Sequence, residues 1–161
     1  TGIQAQTNPG GDSMVGEDWT LYKSVTATLK NTSNAPVHVT FLCRNGSLWT
    51  WAENSGYTAA TGRTSAEECI IGANETIDVR YVLNEATWRL ETNGFTPAGS
   101  LKDMDIVKCV AFKVYAGEGD GEVAGTLEIS NFKVHFSEDG KEDSAGTTVT
   151  TQATTKATTI R

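Results

Sequence analysis

Val37-His38-Val39-Thr40-Phe41-Leu42-Cys43 decides the fold class: Val37, Val39, Phe41 and Cys43 share one parity, with His38, Thr40 and Leu42 between them. A β-strand turns successive side chains to opposite faces, so this spacing lines one face with apolar groups and predicts a half-buried strand. The pattern recurs on both sides. Val25, Ala27 and Leu29 alternate with Thr26, Thr28 and Lys30; Ile77, Val79, Tyr81 and Leu83 with Asp78, Arg80 and Val82; Val110, Phe112 and Val114 with Ala111, Lys113 and Tyr115. Toward the C-terminus Leu127 and Ile129 have one parity and Phe132, Val134 and Phe136 the other. A β-bulge near Ser130-Asn131 would return all five to the core side. Turn chemistry punctuates these runs: Asn31-Thr-Ser-Asn34 before Pro36, Asn45-Gly46, Gly72-Ala-Asn74, Asn93-Gly94 and the Gly117–Gly121 stretch. Short strands divided by such turns predict an all-β fold, a two-sheet antiparallel β-sandwich, with length for about eight to ten strands.

The 161 residues suit one domain followed by a tail. Of 24 threonines, eight fall in Thr147 to Arg161. That stretch cannot bury enough apolar surface to offset its ordering entropy. We therefore expect a domain over 1–138 and a Thr-rich linker over 139–161. A linker implies a neighbour, and the start at Thr1 reads as a module cut from a longer chain. The tail from Gly140 carries three cations and two anions, +1, so the body before it carries −7 − 1 = −8. Such acidity repels phosphate backbones and anionic headgroups, and no apolar run approaches the ~18–20 residues of a membrane helix. Nucleic acid and membrane are excluded as first readings, and an uncharged ligand suits the balance. Three cysteines, Cys43, Cys69 and Cys109, form no zinc pattern. One bridge plus one thiol and three free thiols both fit; Cys43 and Cys109 lie in strand-like runs, where a thiol fills space.

Catalytic motifs are missing. His38 and His135 have no motif around them, and no nucleophile elbow, zinc-protease helix, P-loop or dinucleotide fingerprint occurs. Glu67-Glu68 or Asp103 and Asp105 could be offered as a glycosidase pair, but twenty acidic residues make some pair inevitable. Gly117-Glu-Gly-Asp-Gly-Glu122 lacks the ligand series of a calcium loop and reads as a hairpin turn. No cofactor is implied, though loop carboxylates elsewhere leave room for a structural calcium.

The tryptophans are more informative. Trp19 precedes a strand and is expected to cap one end of the core. Trp49 and Trp51, bounded by Gly46 and Gly56, project to the same side if the segment is extended. Trp88 follows an alternating strand and has polar neighbours. Three tryptophans beside turns predict exposed aromatics and hence a binding surface. The C–H face of a pyranose stacks on an indole, and by analogy with bases each platform contributes ~1–3 kcal/mol.

Four segments resemble the β-sandwich, or jelly-roll, carbohydrate-binding modules of cellulases and hemicellulases from anaerobic, cellulosome-forming bacteria. They are Glu17-Asp-Trp-Thr-Leu-Tyr-Lys23, Asn31-Thr-Ser-Asn-Ala-Pro-Val-His-Val-Thr-Phe41, Ala73-Asn-Glu-Thr-Ile-Asp-Val79 and Gly125-Thr-Leu-Glu-Ile-Ser-Asn-Phe-Lys-Val134. The resemblance implies a secreted, monomeric, non-catalytic module, covalently linked to a glycoside hydrolase or other cellulosomal modules. It also implies a β-linked plant cell-wall polysaccharide as ligand: β-1,4-glucan, xyloglucan, mixed-linkage glucan or glucomannan. By position, Trp49, Trp51 and Tyr57 match one binding segment and Trp88 and Arg89 another. Tyr115, of outward parity, would complete the cleft; Arg80 and Asp78 are outward too, as cleft hydrogen-bonders or simply exposed. Two other classes compete, an adhesion or assembly module of an extracellular scaffold that binds protein, and a small hydrolase.

Overall fold

A computed structural model describes residues 3–7, 16–56, 67–117 and 123–141. Among the described residues there are ten strands: β1 (Ile3–Thr7), β2 (Ser24–Asn31), β3 (Val37–Asn45), β4 (Thr50–Asn54), β5 (Cys69–Ile71), β6 (Thr76–Val82), β7 (Trp88–Leu90), β8 (Pro97–Gly99), β9 (Val107–Tyr115) and β10 (Leu127–His135). The larger sheet runs β1-β9-β3-β4-β7-β8, with β5 beside the first half of β3; the smaller runs β10-β2-β6. Every pairing is antiparallel, and the two sheets pack face to face as the alternation predicts.

The inward parity of each long strand fills the space between the sheets. Val25, Ala27 and Leu29 of β2 and Val79 and Tyr81 of β6 meet Val37, Val39, Phe41 and Cys43 of β3 and Val110, Phe112 and Val114 of β9. Phe41 is the hub. Its ring centroid lies 4.7 Å from Tyr81, 5.3 Å from Phe112, 6.0 Å from Phe132 and 6.2 Å from Trp88. Aromatic pairs in such tilted and edge-on poses contribute about 0.5–1.5 kcal/mol each beyond area burial, and here they join both sheets. Trp19 caps the core's edge at 3% exposure, its ring edge-on to Tyr22.

Buried polar groups tie the turns down. Asn31, 1% exposed, donates through Nδ2 to the carbonyls of Ala35, Ile71 and Gly72, and its Oδ1 accepts from the Ser33 amide and hydroxyl. The Asn31-Thr-Ser-Asn34 turn is thereby pinned to the loop between β5 and β6. The register of β10 against β2 shifts between Ser130 and Lys133, where Asn131 takes φ +52°. This is the bulge that the parity switch predicts. It brings Leu127, Ile129, Phe132 and Val134 against the core; Phe136 lies beyond the strand, 43% exposed and stacked 5.0 Å from Tyr22. Cys43, Cys69 and Cys109 are all buried and none is in a disulfide. Of the acidic turn, residues 118–122 lie outside the described residues, as does the Thr-rich stretch from 142 onward.

Candidate functional site

Directly opposed residues of antiparallel strands share a sheet face, so the register assembles the site. On β3 the outward residues are His38, Thr40, Leu42 and Arg44. Arg44 opposes Trp51 on β4 and Cys109 on β9; Leu42 opposes Glu53 and Ala111; Thr40 opposes Lys113; His38 opposes Tyr115 on β9 and Ile70 on β5. Glu53 in turn opposes Arg89 on β7. The outer face of the larger sheet therefore brings together Trp51, Arg89 and Tyr115. Its centre, Thr40, Leu42, Cys109 and Ala111, is buried, and ringed by aromatic and charged side chains.

At one end the half-buried indole of Trp51 has the Arg44 guanidinium over its ring, 4.8 Å from the centroid. Phe95 meets it edge-on at 6.3 Å and 88°. The turn after β7 places Phe95 there: Gly94 adopts the left-handed φ of +68° that a glycine takes without strain, and Phe95 donates its amide to the Leu90 carbonyl. The Trp51 amide itself donates to Glu91 Oε2 at 3.2 Å. At the other end Tyr115 donates its hydroxyl to Glu68 Oε1 at 3.2 Å, and the same oxygen lies 2.5 Å from His38 Nδ1. The His38 and Tyr115 rings lie 5.3 Å apart. Lys113 bridges the two ends, with Nζ 5.7 Å from the Tyr115 centroid and 3.5 Å from Glu53 Oε2. Burial pushes the Tyr115 phenol above its ordinary value, with a hydrogen bond from Thr40 working against the rise.

Two expectations change. Trp88 is not a platform: it is fully buried, its indole N–H donating to the Val82 carbonyl at 2.8 Å and its ring packed on Phe41. The reason is alternation. Trp88 and Arg89 are consecutive on β7, so only one can face outward, and the core takes the indole while the guanidinium goes to the outer face. Nor does the two-residue rule carry Trp49 with Trp51. The chain turns over Gly46–Trp49, Trp49 itself takes φ +57°, and β4 begins only at Thr50. Trp49 instead lies under Lys108, whose Nζ is 5.1 Å from the ring centroid. Tyr57 lies outside the described residues.

Asp78 and Arg80 belong to the other sheet. With Thr26, Thr28, Lys133 and His135 they line an open trough of about 740 Å³, to which Asp139 to Lys141 also contribute. Thr28 donates to Asp78 Oδ1 at 2.7 Å, and Thr26 Oγ1 lies 2.7 Å from His135 Nε2. Among the described residues no Trp, Tyr or Phe lines this trough, so a sugar ring finds no large aromatic face there to stack on. The larger sheet is the stronger candidate.

Arg44, Lys113, Lys108 and Phe95 were not singled out by the sequence reading. The outward parity of Arg44 and Lys113 is legible in their strands. The placement of Lys108 is not, because it depends on a break in register: Arg44 opposes Cys109 while Asn45 opposes Val107, and the bulge re-aims Lys108. Among the described residues no group of three or more His, Cys, Asp or Glu side chains could hold a metal ion, and no helix is long and apolar enough to cross a membrane. Comparison with protein-family models, with curated proteins and with solved structures finds no match to this chain.

Proposed function

We propose that this domain is a non-catalytic carbohydrate-binding module that holds an internal segment of a β-linked plant cell-wall polysaccharide along the outer face of the larger sheet. It would thereby bring a covalently linked catalytic module, secreted with it, to its substrate. The observation that carries the reading is a partly exposed indole, Trp51, on the same face as Arg89 and Tyr115. Stacking on Trp51, with Phe95 beside it, would take the apolar face of a pyranose, and Arg89 would bind equatorial hydroxyls farther along. From His38 to Arg44 the face extends roughly 20 Å at ~3.3 Å per residue, which is longer than one sugar ring and suits a chain.

Affinity gel electrophoresis against hydroxyethyl cellulose, xyloglucan, mixed-linkage glucan and glucomannan tests this. Retardation by at least one is expected; migration unchanged by all of them would sink the reading, and release of reducing sugar would replace it with hydrolysis. One feature favours an adhesion module that binds protein: Leu48, beside Trp49, is 87% exposed, and Phe95 41%. Unchanged migration in every gel, together with Leu48→Ser abolishing a captured protein complex, would decide for that class.

A further inference from the structure

Two cations on this face differ from the rest. Lys113 has Glu53 within reach, whereas neither Arg44 nor Lys108 has a carboxylate within 4.0 Å among the described residues. Each has an indole face instead, Arg44 that of Trp51 and Lys108 that of Trp49. The two come from neighbouring positions of paired strands: Arg44 opposes Cys109, and Lys108 is the unpaired residue next to Cys109 at the bulge. Burial holds the Cys109 thiol above its ordinary value, and Arg44 is close enough for its charge to work against that rise. Two N–H donors of the same corner, Arg44 Nε and Trp51 Nε1, are buried and meet no acceptor among the described residues. Acids of the surrounding segments have other partners: Glu91 accepts the Trp51 amide, Glu53 lies within reach of Lys113, and Asp103 lies against Gly46.

A chain of charge −7 has carboxylates to spare, yet this corner is left with two positive charges and two unaccepted donors. Burying donors without an acceptor costs free energy, so such a corner is completed by a group that brings oxygen and negative charge. A planar guanidinium held over an indole loses little freedom when it forks onto a carboxylate, and a nearby ammonium adds a second charge. We propose that Arg44, Lys108 and the Trp51 indole N–H form a subsite for the carboxylate of an acidic sugar, so that the preferred ligand is a polysaccharide bearing uronic or other carboxylated residues. This rests on the polysaccharide reading above and names the substrate class of the same face. It also reverses the expectation of an uncharged ligand, since the acidity of the body is not shared by this corner.

The test is titration calorimetry of the intact chain with hydroxyethyl cellulose, carboxymethyl cellulose, β-1,4-linked polyglucuronate and polyglutamate, each at low salt and in ~1 M NaCl, where the Debye length is ~3 Å. Two charge-assisted hydrogen bonds predict a carboxylated glycan bound about tenfold tighter than the neutral chain, with that preference lost in high salt. Arg44→Gln and Lys108→Gln should each collapse the acidic-to-neutral affinity ratio, with the urea midpoint confirming that the variants fold. Should either variant fail to fold, the ratio and salt dependence of the unmodified chain decide alone. Equal affinity for neutral and carboxylated chains overturns the inference and leaves the polysaccharide reading standing. Binding to no polysaccharide overturns both. Polyglutamate bound as tightly as the carboxylated β-glycans also overturns it, because charge without a sugar would then suffice.

Discussion

Trp88→Ala and Trp51→Ala should fail in opposite ways. Trp88 is fully buried, packs on Phe41 and gives its indole N–H to Val82. Removing a buried tryptophan side chain costs about 3–5 kcal/mol in lost burial and residual cavity, and the Val82 carbonyl loses a donor at about 1 kcal/mol more. The sum, roughly 4–6 kcal/mol, is comparable to the whole stability of a marginal domain. With an m-value of about 2 kcal/mol/M the urea midpoint should drop by ~2–3 M, or the protein should not fold at all. Trp51 is half-buried and loses its contacts with Arg44, ~0.5–1 kcal/mol, and with Phe95, ~0.5–1.5 kcal/mol, so its midpoint should move by about 0.5–1.2 M, well short of the Trp88 loss. Its binding should weaken instead, by the ~1–3 kcal/mol of a stacking platform, or roughly 5- to 150-fold. Urea denaturation followed by tryptophan fluorescence, with affinity electrophoresis on the same preparations, measures both. A Trp88→Ala protein that keeps its midpoint and loses binding would refute the placement of that indole in the core.

Tyr81→Phe should be neutral or stabilising by up to about 1 kcal/mol, because the Tyr81 hydroxyl is buried and meets no acceptor among the described residues, so deleting it removes a desolvation cost; a loss above ~1 kcal/mol in urea would contradict this. Asn31→Leu, by contrast, should cost about 3 kcal/mol or more, since it strands the Ser33 amide and the carbonyls of Ile71 and Gly72 at once; a midpoint within error of the parent would show that the turn holds without it. Stability should also fall in alkali. Burial holds the Cys43 and Cys109 thiols above the ordinary 9.0 and the Tyr81 and Tyr115 phenols above the ordinary 10.0. These groups keep their protons longer when folded, so their contribution is complete below the ordinary values and disappears as pH rises through the raised ones. Urea midpoints from neutral pH to pH ~11 should decline, with thiol reagents reaching the cysteines only on unfolding; a flat profile would refute the burial.

The sandwich is legible in the sequence because β2, β3, β6 and β9 are long enough to display a two-residue period, and the β10 bulge because the parity changes within one strand. β7 has three residues, Trp88 to Leu90, too few to show any period, so its tryptophan read as a loop residue. Tyr115 and Arg44 have outward parities that can be counted from their own strands. That Arg44 neighbours Lys108, 64 residues later, depends on strand order and on a register break, neither of which local periodicity encodes.

The misread strand has a consequence for the site. On a three-residue strand a slip of one position exchanges the two faces, and the register of β7 against β4 rests on few pairs, Ala52 with Leu90 and Glu53 with Arg89. What resists the slip is the core's hold on Trp88, whose volume and single N–H donor fit the space beside Phe41 and the Val82 carbonyl. Arg89 faces outward because Trp88 cannot. A conservative core change such as Trp88→Leu, which keeps an apolar side chain but loses both the shape and the hydrogen bond, would therefore loosen a residue of the binding face without touching that face.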